Sequence, residues 1–392
     1  MKDLLKKDQN ICIMVFPFKS SSFECGQRYL TVHVEILSHV FDNITVIAGN
    51  YFPKTVPHNV QIINVRTPII AGQTESIFSR FFRLLFGQFF ITRELIANRR
   101  KFTIVHLYMW TGAIFLPSLI THFFLKKELW LMITGSPSKS SKEIFISFSK
   151  LFSFLILFIE ETNYFLANKI FIGGSENMIS DLNIERYRYK IVTNTPDSYI
   201  DTNKFHIKNK LSERGNIVGY VGRLSYEKGI IELVKSIPAI LKKKPEIIFY
   251  FIGDGPLMEF CKSYVKEKKC EDSVIFLGWV DHSQLNNYFN LMKIHVLPSN
   301  TEAIGGTSLE AMASGAISLV SPAGGLKDTI IEGYNGFILD DNHPDTITKK
   351  VLEIMEMDNL EKIQISAREY VVSNFSYDSI IRKFKKIYNE NL

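Results

Sequence analysis

Glu302 and Glu310 flank a glycine pair in the stretch Thr301 to Gly315, TEAIGGTSLEAMASG. Glycines just ahead of a helix let a ligand approach backbone N–H groups, and the free N–H groups and dipole of a helix N-terminus attract anions. Gly305 and Gly306 are therefore a candidate phosphate seat. Thr307 followed three residues later by Glu310 fits a capping box, so the spacing predicts a helix that starts beside Ser308, with Thr307 as its cap, and stops at Gly315. Glu302 has no such structural task. A carboxylate in front of an anion-binding loop repels phosphate unless it serves a neighbouring group, such as sugar hydroxyls.

Other candidate groups follow apolar runs. After Ile217–Val221 comes GRLSYEKG, from Gly222 to Gly229, where Arg223 and Lys228 can clamp a phosphate pair with a guanidinium fork and an ammonium point charge. After Ile247–Ile252, Gly253-Asp254-Gly255-Pro256 reads as a tight turn into a helix. Near the N-terminus, Gly26 in FECGQ could admit a ligand to the backbone. His106, near the end of the run Phe102–Leu107, and Gly135-Ser136, after Leu129–Ile133, occupy strand-end positions of the same kind.

These loops need strands to hold them. In the second half, the runs at 217–221, 247–252, 274–277, 294–297 and 317–320 alternate with helical patterns such as 229–243, 256–269 and 308–314. In the first half, candidate strands at 11–16, 44–48, 60–65, 103–107, 129–133 and 170–172 alternate with helices near 27–40, 76–97, 113–124 and 143–166. Such alternation predicts βαβ units and doubly wound parallel sheets, with ligands at the carboxyl ends of the strands. The polar segment 195–214 reads as a link. The expected division is an N-terminal domain, 1–195, and a C-terminal domain, 196–392, whose last helix, about 375–392, could return to the first domain.

A chain of 392 residues, 46% hydrophobic, exceeds one core and agrees with two domains. Its net charge of +6 is uneven: residues 1–195 carry 22 Lys and Arg against 14 Asp and Glu, and residues 196–392 carry 24 against 26. The basic first half suits an anionic surface or substrate. Cys12, Cys25, Cys261 and Cys270 have neither zinc-site nor disulfide-framework spacing, which fits a reducing cytosol, and the N-terminus reads as a poor secretory signal. Residues 102–125 lack charge over a membrane-spanning length, but their β-branched start, Gly and Pro predict a buried strand followed by a helix.

Taken together, GYVGRLSYEKGIIELVKSI (219–237), FIGDGPLMEF (251–260), FLGWV (276–280), PSNTEAIGGTSLEAMASG (298–315) and GYNGFIL (333–339) resemble family 4 of the retaining glycosyltransferases. The resemblance covers most of the second domain and implies an α/β chain of GT-B fold, two facing Rossmann-like domains with the active site in the cleft between them. It further implies a UDP- or GDP-sugar donor and no cofactor or metal. On that resemblance Arg223, Lys228 and Glu302 are the catalytic candidates. Arg223 and Lys228 neutralise the diphosphate, Glu302 contacts the donor sugar and Glu310 the ribose. Amides from Ile304 through Gly305 and Gly306 to Thr307 take sugar or phosphate oxygens, with Gly26, Gly222 and Gly253 lining the donor site. His106, Gly135 and Ser136 fall on the acceptor side. The chain departs from the family at Cys25-Gly26, where a glycine pair is usual, at ITGSP (133–137), where a His is usual, and at EAIGG, where EGFG is common.

The stretches SIFSRFFRLLFGQFFITREL (76–95) and EIFISFSKLFSFLILFIEE (143–161) are unusually apolar and aromatic for a basic domain. That composition suits an anionic membrane surface. The expected acceptor is a glycan or a lipid-linked precursor, at the inner face of the cytoplasmic membrane, with no nucleic acid involved. Two other readings share the architecture: a nucleotide-sugar epimerase, and a nucleotide-sugar or membrane-binding protein with impaired catalysis.

Overall fold

The computed structural model describes residues 9–15, 24–65, 77–108, 114–133, 149–173, 176–196, 198–302 and 304–391. The chain divides into two compact units, Met1–Ser198 with Ile381–Leu392, and Tyr199–Ile380.

In the first unit the described residues form a parallel sheet of β1 (Asn10–Met14), β2 (Asn43–Ala48), β3 (Val60–Asn64), β4 (Ile104–Tyr108), β5 (Glu128–Ile133), β6 (Lys169–Ile172) and β7 (Ile191–Val192). Its spatial order is β3-β2-β1-β4-β5-β6-β7. In the second unit β8 (Ile217–Val221), β9 (Ile248–Ile252), β10 (Val274–Gly278), β11 (Ile294–Leu297), β12 (Ile317–Val320) and β13 (Phe337–Ile338) are ordered β10-β9-β8-β11-β12-β13. Both sheets are the doubly wound kind expected from the apolar runs, because parallel strands buried on both faces need apolar side chains at every position. In each sheet the order reverses after its third strand, which places a switch point between β1 and β4 and another between β8 and β11.

The helices fall close to their expected places. The charge-poor stretch 102–125 is β4 followed by a helix that is α over Leu116–Leu119 and π over Ile120–Leu125, ending at Lys126 with φ +51°. No helix among the described residues is long and apolar enough to cross a membrane. The helix Tyr377–Asn391 begins in the second unit and ends in the first. Its Phe384 and Tyr388 are buried in the first unit, where Tyr388 stacks on Phe171 at 4.9 Å and meets Trp130 and Phe41.

Both cores contain neutral histidines. His33, on the helix Glu24–Ser38, and His106 are fully buried with their Nε2 atoms 3.1 Å apart. Burial pushes His106 down to about 3, and burial with His106 alongside holds His33 well below its ordinary value. In the second unit His295 on β11 is fully buried, and neither ring nitrogen has a hydrogen-bond partner among the described residues. Burial lowers its pKa from 6.5 to about 3. Below pH 6.5 the unfolded chain binds a proton that the folded chain refuses until about pH 3, so the neutral state's stability is complete above pH 6.5 and is lost as pH falls through that window. Replacing His295 with Phe should remove one proton, about 1.4 kcal/mol per pH unit, from the slope of unfolding free energy. Urea unfolding followed between about pH 6 and pH 5 measures that slope, and the same slope in both proteins would contradict the assignment.

Candidate active site

The loops after β8, β9, β11 and β12 meet at the carboxyl edge of the second sheet. Gly253, after β9, has φ +128°, and a Cβ there would lie 1.9 Å from the Gly222 carbonyl oxygen. The Leu224 amide donates to Asp254 O at 3.1 Å and the Leu257 amide returns to Leu224 O at 3.0 Å, so the loops after β8 and β9 are clasped backbone to backbone. Tyr220, fully buried on β8, donates its hydroxyl to Arg223 O at 2.6 Å, and the Arg223 side chain stands exposed above it.

The loop after β8 ends in a short turn, Tyr226–Lys228, closed by Gly229 at φ +62°, which also starts the helix Ile230–Lys243. A Cβ on Gly229 would lie 1.9 Å from Pro298 O, so only glycine permits this approach to the loop after β11. Asn300 fastens the same contact: its amide donates to Glu227 O at 2.8 Å and its Nδ2 to Tyr226 O at 3.0 Å.

This clasp brings together the two residues with the strongest chemical promise. Lys228 Nζ lies 2.6 Å from Glu302 Oε2, and Ser299 Oγ donates to the same oxygen at 3.3 Å. Glu302, with no evident structural task in the sequence, is thus ion-paired with Lys228. With side-chain exposures of 26% and 18%, the pair is partly buried, and it holds charge at a fixed place on the rim. Behind it, Gly324 has φ +53° with a would-be Cβ 1.8 Å from Glu302 O, and the Gly325 amide donates to that oxygen at 3.2 Å.

The expected capping box does not form. The helix runs Gly306–Ala313 and its N-cap is Gly305 at φ +78°, with no side-chain cap. Thr307 is thus already inside the helix, and Glu310 lies too deep in it to reach back to a cap. The left-handed turn at Gly305 sets the start two residues earlier than Thr307 would, and a Cβ at Gly305 would meet the Leu326 side chain at 2.3 Å. Glu310 is almost fully buried, with its Oε1 2.6 Å from His282 Nε2. His282 Nδ1 is in turn bonded to Lys204 Nζ. An ammonium has only protons to give, so Nδ1 accepts and the Nε2 proton is directed at Glu310. The sequence reading missed Lys204 and His282. The available signal was the polar pair Asp281-His282 immediately after the apolar FLGWV, where Asp281 Oδ1 caps the turn through the Ser283 amide at 2.8 Å.

Gly222, Arg223, Lys228, Gly253, Glu302, Ile304, Gly305, Gly306, Thr307 and Glu310 therefore all belong to one edge of one sheet. Of the first-unit candidates, the structure describes Gly26 and His106. Gly26 is in the first turn of the helix Glu24–Ser38. His106 lies in the middle of β4, fully buried against His33, rather than at a strand end open to a ligand. Gly135 and Ser136 lie outside the described residues.

Residues 201–370 match the family described as glycosyl transferases group 1. An uncharacterized glycosyltransferase of Methanocaldococcus jannaschii is 30% identical over 170 residues, 43% of this chain and 43% of that protein. The capsular polysaccharide biosynthesis glycosyltransferase CapM of Staphylococcus aureus is 28% identical over 196 residues, 48% of this chain and 50% of that protein. The chain thus spans about half the length of these relatives. The crystal structure of Anabaena HepE in complex with UDP superposes with a TM-score of 0.70 at 14% identity, over 97% of this chain and 100% of that one. Two doubly wound units with that likeness give the chain the GT-B fold, and its second unit is similar in sequence to the glycosyl transferases group 1 family over residues 201–370.

Proposed function

We propose that the protein is a retaining hexosyltransferase that moves a sugar from a UDP- or GDP-sugar to a lipid-linked or polysaccharide-precursor acceptor. The observation that carries this reading is the Lys228–Glu302 pair, held at 2.6 Å beside Arg223 and the glycine-capped helix Gly306–Ala313. Arg223, Lys228 and the helix N-terminus supply positive potential for the leaving diphosphate. Glu302, kept in place by Lys228 and Ser299, offers carboxylate oxygens to donor-sugar hydroxyls. Glu310, oriented by His282, accepts from the ribose.

In this mechanism the acceptor oxygen attacks the anomeric carbon from the face the nucleotide leaves. The bond from that carbon to the phosphate oxygen breaks as the new glycosidic bond forms, and the acceptor's proton passes to the departing diphosphate. The reaction as proposed uses no protein nucleophile, metal or cofactor. Charge neutralisation by Arg223, Lys228 and backbone N–H groups takes the place a metal would fill. The basic first half and its apolar helices support work at the inner face of the cytoplasmic membrane.

A thermal-shift screen of UDP-, GDP- and ADP-sugars should raise the melting temperature with one nucleotide class, because a ligand bound to the folded state stabilises it by mass action. Glu302→Gln and Lys228→Met should each cut sugar transfer by about two orders of magnitude or more, the scale of a lost transition-state electrostatic contact, with the fold intact by circular dichroism. Turnover at the unsubstituted level in either variant would refute the site. Donor binding without release of nucleoside diphosphate would favour a binding protein instead. His282→Ala should weaken binding of the nucleoside diphosphate by about tenfold, the loss of one charged hydrogen bond, and should weaken its 2′,3′-dideoxy analogue much less. Equal losses for the two ligands would remove His282 from the ribose contact.

A further inference from the structure

Three helices lie along one layer of the first unit: Ile77–Ala97, the α/π helix 116–125, and Ser149–Leu166. They give apolar side chains such as Ile91, Leu95, Tyr164 and Leu166 to the core, and in addition bury polar groups while exposing aromatic ones. Among the described residues, Gln88, Thr92, Ser118, Thr121, Glu160 and Asn163 are all buried. Facing outward are Phe89, Phe123, Phe124, Phe154, Phe158 and Phe165, each more than half exposed. Isolated exposed apolar residues need no explanation, but a contiguous set does.

Two of the buried polar groups, Gln88 and Asn163, bond across the seams between the helices. Gln88 Oε1 accepts from the Phe115 and Leu116 amides, both at 2.8 Å, and Asn163 Nδ2 donates to Ile114 O at 2.7 Å. The outer two helices thus both grip the start of the middle one. Ser118 and Thr121 bond back to Ile114 O and Pro117 O within the middle helix. Polar contacts between helices with apolar side chains outside are the arrangement expected where the surrounding medium is itself apolar, because burying Phe against a neighbour then brings no advantage over exposing it.

Charge selects which apolar medium. Arg99 and Arg100 follow the first helix, Lys126 follows the second, and Lys190 bonds to Phe165 O and Ala167 O at the end of the third. Arg99, Arg100 and Lys126 are exposed, and Tyr189 beside Lys190 is 82% exposed. Cations and an aromatic ring at the margin of an apolar face match the headgroup level of an anionic bilayer.

We infer that the outer face of this three-helix layer is a monotopic membrane-docking surface, which seats Phe124, Phe158 and their neighbours among acyl chains and the basic margin among anionic phospholipid headgroups. The inference deepens the membrane part of the proposed function by assigning the surface, and it stands independently of the donor chemistry.

The test is flotation of the full chain with phosphatidylcholine vesicles, with and without phosphatidylglycerol. The protein should float with phosphatidylglycerol vesicles. Phe124→Asp combined with Phe158→Asp should weaken that binding about tenfold or more, and Arg99→Glu combined with Lys126→Glu should abolish its dependence on phosphatidylglycerol. Phe165→Asp alone provides a milder variant if the double substitution unfolds. Melting temperature and the nucleotide-sugar thermal shift should remain unchanged in every folded variant, which separates failure of this surface from failure of the donor site. No flotation of the unsubstituted protein, or undiminished flotation of the Asp variants, would overturn the inference. So would a concentration-dependent dimer, seen by sedimentation, that the Asp substitutions dissolve while vesicles do not bind: the face would then join two copies of the chain.

Discussion

The candidate site depends on backbone meeting backbone where no side chain fits. Gly229 against Pro298, Gly253 against Gly222 and Gly324 against Glu302 each leave less than 2 Å between a would-be Cβ and a carbonyl oxygen. Each of these glycines also has a positive φ that other residues adopt only with strain. Together they draw the loops after β8, β9, β11 and β12 into one rim. Lys228 is next in sequence to one of these contacts, and the carbonyl of Glu302 is itself part of another. The charged pair is therefore set by main-chain geometry, and its side chains need make only the last adjustment.

The two units cover the same kind of sheet with helices whose outer faces differ. In the second unit, Ile230–Lys243 buries Ile230, Leu233, Val234, Ile237 and Ile240 and ends in Lys242 and Lys243, as a helix between a sheet and water should. In the first unit the three-helix layer likewise buries Ile91, Leu95 and Leu166, but it adds the Gln88 and Asn163 amides at its seams and leaves phenylalanines outside. A parallel sheet tolerates both, because its strands meet their own hydrogen-bonding needs and ask only for apolar contact from the layer above. One unit thus presents a charged, polar rim, while the other presents an apolar face with a basic margin.

Most strands were legible because a strand buried on both sides leaves a continuous apolar run, and the runs at 217–221, 294–297 and 317–320 coincide with β8, β11 and β12. The two-residue strands β7 and β13 carry too short a run to stand out. The helix after Glu302 was readable as a helix but not in its start, since Thr307 and Glu310 satisfy a capping pattern on paper while the left-handed Gly305 has already begun the turn. His106 illustrates a related ambiguity. A histidine in an apolar run has one appearance whether it faces a ligand or, as here, another buried histidine.

The sequence by itself determined the alternation of strands and helices, the strand-end loops and the charged and glycine positions within them, because periodicity and glycine placement are local properties of the chain. Only the tertiary structure decided that Lys228 pairs with Glu302, that Lys204 and His282 orient Glu310, and that the aromatic helices turn their phenylalanines outward. Those outcomes depend on which distant backbone segments approach closely enough to exclude a Cβ and on which side of each helix the sheet covers. Neither is encoded by spacing along one segment.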